Sequence, residues 1–307
     1  MRTLCLLLCG ASALLAAGST DWIAQLGGTV KRNPAGDIVA VNLRGSWIND
    51  AEMIELARLP RLEQLDLSHT RITDEGMLRL KTAPRIRDLN LYYAELVTDQ
   101  GMTAIQGWKD LTRLNVRGTR ISDGTLQIAS KLTGLEALDI ANTQVTDNGL
   151  DRLITLTNLK ELAIGRSRLS DNALEVLRML PTLTYLDLSG ARAAPPDLAR
   201  RKGEGGSMPE SMLRAIAELK DLRILKLGYS NISADGLKIL SALEKVEKLG
   251  LEACPRIDDK AATELAAWKA LKYVDLQNTQ VTRQGVEALG KTKPSLVILA
   301  NPSAAQK

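Results

Sequence analysis

Apolar and polar residues alternate along this chain in a phrase that returns at steps of mostly 24 or 25 residues. Aligned at Leu62 the phrase reads LEQLDLSHTRITDEGMLRL, at Leu111 LTRLNVRGTRISDGTLQIA, at Leu135 LEALDIANTQVTDNGLDRL and at Leu222 LRILKLGYSNISADGLKIL. Frames start at Ile38, Leu62, Ile86, Leu111, Leu135, Leu159, Leu183, Leu222, Val246, Leu271 and Leu296, eleven units with the last cut short. Self-similarity at such a period is the signature of a solenoid, in which each unit buries its apolar face against the next.

Within a unit, apolar residues at positions 1, 4 and 6 predict a short strand with alternate side chains on one face. A Thr at position 9 and an Ile or Val at 11 follow. The next Thr-Asp or Ser-Asp pair suits a helix N-cap, because its oxygens can accept otherwise unpaired backbone N–H groups. Asp74, Asp123, Asp147 and Asp171 are read as those caps, and the threonine row as bonding between neighbouring turns. Apolar residues near positions 16, 19 and 22, such as Leu150, Leu153 and Leu156, give one face of a short helix. The expected fold is therefore α/β: a right-handed strand–helix superhelix, an arc with a parallel concave sheet inside and helices outside.

The ends and one interruption depart from the phrase. Residues 19–37 read as an N-terminal cap: a short helix at DWIAQLGG, with Trp22 packing on the first leucines, and a hairpin turning at Asn33-Pro34-Ala35-Gly36. The repeat domain spans 38–302, and 303–307 is a polar tail. An insertion, 191–210, carries prolines, glycines and the basic run Arg200-Arg201-Lys202 and is expected to leave the array as a loop.

The L-x-x-L-x-L frames and T-x-[IV]-[TS]-D segments resemble the leucine-rich repeat family, in its ribonuclease-inhibitor-like and cysteine-containing classes. LGLEACPRIDD places Cys254 in the slot of the class cysteine, and Ala94 stands there in the unit starting at Ile86. The resemblance also extends to exported bacterial repeat proteins with a short helix, a Gly-Gly and a leading hairpin. It implies a binding scaffold and is nearly silent on the ligand.

Composition sharpens this picture. The chain has 307 residues, 45% of them hydrophobic, and no phenylalanine, as expected if one side-chain shape is demanded repeatedly. Arg2 followed by LCLLLCGASALLAAG reads as a signal peptide, residues 1–18, too short to span a membrane comfortably. Its removal takes Cys5 and Cys9, leaves Cys254 alone and precludes an intramolecular disulfide. The expected location is periplasmic or extracellular. A formal charge of +4 is too mild to imply nucleic acid.

Candidate chemistry is sparse. The single histidine, His69, has no nucleophile or second histidine to work with, so no enzyme, metal or cofactor is expected. The Asp/Asn row at position 5 reads as solvated surface. All five tyrosines fall at positions 3, 7 or 8 and none in a leucine slot. The expected partner-binding residues on the concave face are His69, Tyr92, Tyr93, Arg113, Arg117, Tyr185, Tyr229 and Tyr273, with arginine over tyrosine as an anchor pair. Arg200, Arg201 and Lys202 of the loop are further candidates. The leading reading is a non-enzymatic protein-binding scaffold. The alternatives are a binder of carbohydrate or cell envelope, which tyrosine faces would serve, and a ubiquitin-ligase adaptor. The leader and the short stretch before Asp21 weigh against the adaptor, and the lack of a strongly acidic inner surface weighs against ribonuclease inhibition.

Overall fold

The computed structural model describes residues 21–83, 85–167, 171–190 and 208–301. The leader 1–18, most of the insertion with Arg200, Arg201 and Lys202, and the tail 303–307 lie outside these residues. The described residues form a twelve-stranded sheet in chain order. Its strands are β1 (Thr29–Arg32), β2 (Ile38–Asn42), β3 (Gln64–Asp66), β4 (Asp88–Asn90), β5 (Arg113–Asn115), β6 (Ala137–Asp139), β7 (Glu161–Ala163), β8 (Tyr185–Asp187), β9 (Ile224–Lys226), β10 (Lys248–Gly250), β11 (Tyr273–Asp275) and β12 (Val297–Leu299).

β1 and β2 form an antiparallel hairpin, and every later pair is parallel. Asn33 fastens the hairpin turn, its Oδ1 accepting from the Asp37 N–H at 2.9 Å. Ile23, 1% exposed, is the buried residue of the first helix; Trp22 is only partly buried against the core.

The leucine slots fill a continuous core between sheet and helices. Leu65, Leu89, Leu114, Leu138, Leu162, Leu186, Leu225 and Leu249 at position 4 are all at most 2% exposed. Each such side chain contributes about 1.5–3 kcal/mol of burial. Leu150, Leu153 and Leu156 are buried as their spacing predicts. Trp108 and Trp268, at matching positions, are both core filler. So is Cys254, whose thiol donates to the Leu227 carbonyl at 3.2 Å.

The Thr-Asp pair caps the helix as expected through its threonine, Thr73 accepting from the Glu75 N–H and Thr98 from that of Gln100, but not through its aspartate. The residue with extended backbone before the helix is Thr73, Thr98, Ser122 or Thr146, not the aspartate. The aspartate is the first helical residue and reaches forward to the next repeat. Asp74 accepts from the Thr98 N–H at 2.7 Å and from its hydroxyl at 2.6 Å. Asp50 grips Thr73, Asp123 grips Thr146 and Asp259 grips Thr282 in the same way. Asp99 grips Ser122 and also Thr125. The threonine row at position 9 turns inward instead: Thr70, Thr119, Thr143 and Thr279 donate to carbonyls of their own turn.

This stitch also explains a glycine column. A Cβ on Gly76, Gly149 or Gly285 would lie 2.3, 2.3 or 2.1 Å from the carboxylate of Asp50, Asp123 or Asp259. The aspartate of one repeat therefore dictates both the threonine and the glycine of the next.

One frame shifts. β12 pairs Val297 with Tyr273 and Ile298 with Val274, so the last unit begins at Ser295 rather than Leu296. Leu296-Val297-Ile298-Leu299 is an unbroken apolar run, and a run without alternation carries no register. Val297 and Leu299 consequently sit at inner-face positions, 60% and 40% exposed.

Candidate functional site: the inner sheet and its rim

Positions 3, 5 and 7 of each unit supply the inner face. At its centre two arginines bridge repeats. Arg113 on β5 crosses over Ala137 on β6 to reach Glu161 on β7, with Nη1–Oε1 and Nη2–Oε2 distances of 3.2 and 2.9 Å. Arg117 lies 3.5 Å from Asp139 on β6 and, across Ala163, 3.5 Å from Asp187 on β8. Ala137 and Ala163 are the low points that these bridges span; both are buried, at 7% and 4% exposure. Asp187 is itself buried and accepts from the Ser189 N–H at 2.8 Å.

Burial governs the titration of this floor. It pushes the Asp139 carboxyl above the usual aspartate range, and Arg117 offsets only part of that. Burial raises Glu252 as well, and the nearby carboxylates Asp275 and Asp187 add to it. Burial alone would lower the Lys226 ammonium, but Tyr185, Asp187 and Glu252 outweigh it and raise it. The carboxylates and cations of the centre are thus mutually committed, around a cleft of about 290 Å³ lined by Asp88, Arg113, Ala137, Asp139, Glu161 and Tyr185.

The eight expected partner-binding residues divide between floor and rim. Arg113, Arg117, Tyr185 and Tyr273 are on the floor, and Tyr92 is at its margin. His69, Tyr93 and Tyr229 occupy position 8, one residue beyond, where the backbone is left-handed, with φ of 55°, 54° and 58°. They are rim residues rather than floor residues. The cause is a backbone ladder that continues past the strands: the N–H of His69 donates to Tyr92 O, that of Tyr93 to Arg117 O and that of Tyr229 to Glu252 O, at 2.7–2.8 Å. The ten units from Ile38 to Leu271 are all held in this turn, including those with Gly45, Gly118, Gly190, Asn142 or Asn278 at the position. A bulky residue there costs roughly 1–2 kcal/mol.

The rim rings pack on one another. His69 stacks on Tyr93 at 5.7 Å and 8°, and Tyr92 meets both edge-on, at 5.0 and 4.7 Å. The far face of Tyr93 covers Gly118, where a Cβ would come within 3.0 Å of the ring. Tyr93 therefore has neither face open.

Arginine over tyrosine does occur, but not in the expected pair. Arg113 and Arg117 turn to carboxylates; the cation–π partners are Arg166 with Tyr229, at 5.2 Å, and Lys226 with Tyr185, at 5.5 Å. Glu161, Asp187, Arg166 and Lys226 are site residues that sequence reasoning missed. The signal available for them was adjacency in the position-3, 5 and 8 columns, together with the alanines that let a long side chain pass.

Residues 60–81 match the family described as Leucine Rich repeat. No curated protein matches the sequence. Among solved structures the chain is similar to an internalin, inlF, from Listeria monocytogenes, with 18% identity and a TM-score of 0.52 over 95% of this chain and 90% of that one. It is also similar to the Arabidopsis receptor kinase HAESA in complex with the peptide hormone IDA and the co-receptor SERK1, with 18% identity and a TM-score of 0.53. That match covers 82% of this chain and 40% of that one, so the chain spans under half the length of the HAESA chain. Fold and repeat together define an α/β solenoid with one continuous inner sheet. The fold is that of a leucine-rich repeat solenoid, and residues 60–81 match the repeat itself.

Proposed function

We propose that this chain is an exported, non-enzymatic scaffold that holds a protein partner against its inner sheet, with the cleft between β4 and β8 at the centre of contact. The observation that carries the reading is that cleft: a low alanine floor walled by Arg113, Glu161 and Tyr185, on a rigid stack of strands. Tyrosine and arginine are the side chains that dominate binding energy at protein interfaces. The HAESA complex, which shares the fold, was captured with a peptide hormone and a co-receptor.

A binding role fits the nucleophile and base inventory. The His69 ring is packed against two tyrosines, and burial raises the Cys254 thiol, the reverse of an activated nucleophile. Export rests on the reading of residues 1–18 as a leader; among the described residues no helix is long and apolar enough to cross a membrane. The slot of Cys254 supports the cysteine-containing repeat class.

The test is partner capture from the native exported fraction. We expect Tyr185→Ala combined with Arg113→Ala to weaken capture by about tenfold or more, with unchanged thermal unfolding cooperativity. Capture equal to wild type would overturn the placement on the floor. Arg117→Ala is unsuited to this purpose, because it also takes the guanidinium from the buried Asp187 and unsettles the floor.

A further inference from the structure

The edge where strands turn into helices differs from the floor in one respect: its basic groups are uncommitted. Arg71 and Arg120 occupy position 10 of their units, are exposed and make no ion pair among the described residues. At the same position the first unit carries Trp47, 80% exposed, and one residue further on the third unit carries Leu96, 38% exposed. Trp108 and Trp268 are fully buried and Trp22 is partly buried, which makes Trp47 the one largely exposed tryptophan of the chain. Position 10 thus reads Trp47, Arg71, Glu95 and Arg120, and the extra residue of the 25-residue third unit sets Leu96 beside Glu95.

Next to this row stand His69 and Tyr92, both held by the ring cluster, and His69 also by a left-handed backbone that a glycine would adopt at lower cost. Rigid rings lose little freedom on binding, so they suit an anchor. The opposite edge of the same repeats also bears exposed bases, Arg85 and Lys109, but no exposed large apolar side chain among the described residues. Charge alone does not single out the first edge; charge joined to an exposed indole does.

We propose that the strand-to-helix edge of the first four repeats, built from Trp47, Arg71, Leu96 and Arg120 beside His69 and Tyr92, is a docking surface for an acidic, partly apolar segment of a protein partner. The proposal rests on the reading of the chain as a protein-binding scaffold and adds a second contact surface with its own chemistry. Carboxylates of the segment meet the free guanidinium groups, and its apolar side chains cover the indole and Leu96.

The test is titration of the full chain with a dodecapeptide built from Glu-Glu-Leu, followed by tryptophan fluorescence. The expected result is a blue shift, absent with the Lys-Lys-Leu counterpart, and binding that weakens as salt rises. Trp47→Ala removes the shift. Arg71→Gln with Arg120→Gln weakens binding about tenfold or more, whereas Arg85→Gln with Lys109→Gln, an equal charge change on the opposite edge, leaves it unaltered. No binding at millimolar peptide, or equal weakening by the two double variants, overturns the proposal. Binding of dextran sulfate without the peptide overturns it too and assigns the edge to an anionic polysaccharide. Failure here together with loss of partner capture in Tyr185→Ala/Arg113→Ala would leave the scaffold reading standing. Normal capture by that variant would remove the floor placement independently.

Discussion

At the scale of single residues, what counts is where one side chain crosses from its own repeat into the next. Asp99 is the clearest case. Burial would raise its carboxyl, but hydrogen bonds from Ser122 and Thr125 outweigh burial and hold it below the usual aspartate range. Its folded value is depressed, so its stabilisation is fully present above the ordinary aspartate value of about 3.9 and is lost as pH falls through the folded value. Asp99→Asn should therefore lower the melting temperature at pH 7 and flatten the acid limb of the stability curve, measured by thermal unfolding from pH 2 to 7. A variant with the wild-type acid limb would show that the carboxylate is not the stitch. Gly149→Ala forces a methyl to within 2.3 Å of the Asp123 carboxylate and should cost about 1–3 kcal/mol; denaturant titration would measure it. The motif was legible as a repeat, but a single frame cannot say that Asp74 serves Thr98 rather than its own helix. The left-handed turn was legible in principle, because glycine or asparagine fills position 8 in five units. The tyrosines and histidine in the same column hid it.

At the scale of elements, legibility follows alternation. Strands β2 to β11 fall where the leucine frames put them, most of them with a polar residue beside the position-4 leucine, and β2 despite an apolar run from Ile38 to Val41. β12 does not, because its four apolar residues offer two equivalent registers. The observed pairing makes a sharp distinction between neighbours. Val297 faces outward from the core and Ile298 packs against it. Val297→Lys should change stability by under about 0.5 kcal/mol, while Ile298→Lys should cost about 2 kcal/mol or more. Equal effects in urea unfolding would restore the frame that starts at Leu296. The helix starts show the same logic. After Ala234, which stands where other units carry the stitching aspartate, the next unit opens with Asp258, and its side chain caps its own helix at the Ala261 N–H. Thr73, Thr98 and Thr282 cap their own helices and are stitched as well, so Asp258 keeps the cap where the stitch is missing.

At the scale of the whole molecule, the repeat decides the architecture and leaves function to the columns it displays. The inner face and its tyrosines could be read from the sequence. The Arg113–Glu161 and Arg117–Asp139–Asp187 bridges could not, because a column states which residues are neighbours and not which way a long side chain turns. That difference moved the cation–tyrosine pairs from Arg113 and Arg117 to Arg166 and Lys226 and made Ala137 and Ala163 the floor of the cleft. The most direct measurement is hydroxyl-radical footprinting of the scaffold with its captured partner. Protection of Tyr185 and Tyr273 on the inner face, with Ile154 and Met179 on the outer side still oxidised at the free rate, is the result expected. Protection confined to Ile154 and Met179, with both tyrosines unaltered, would contradict it.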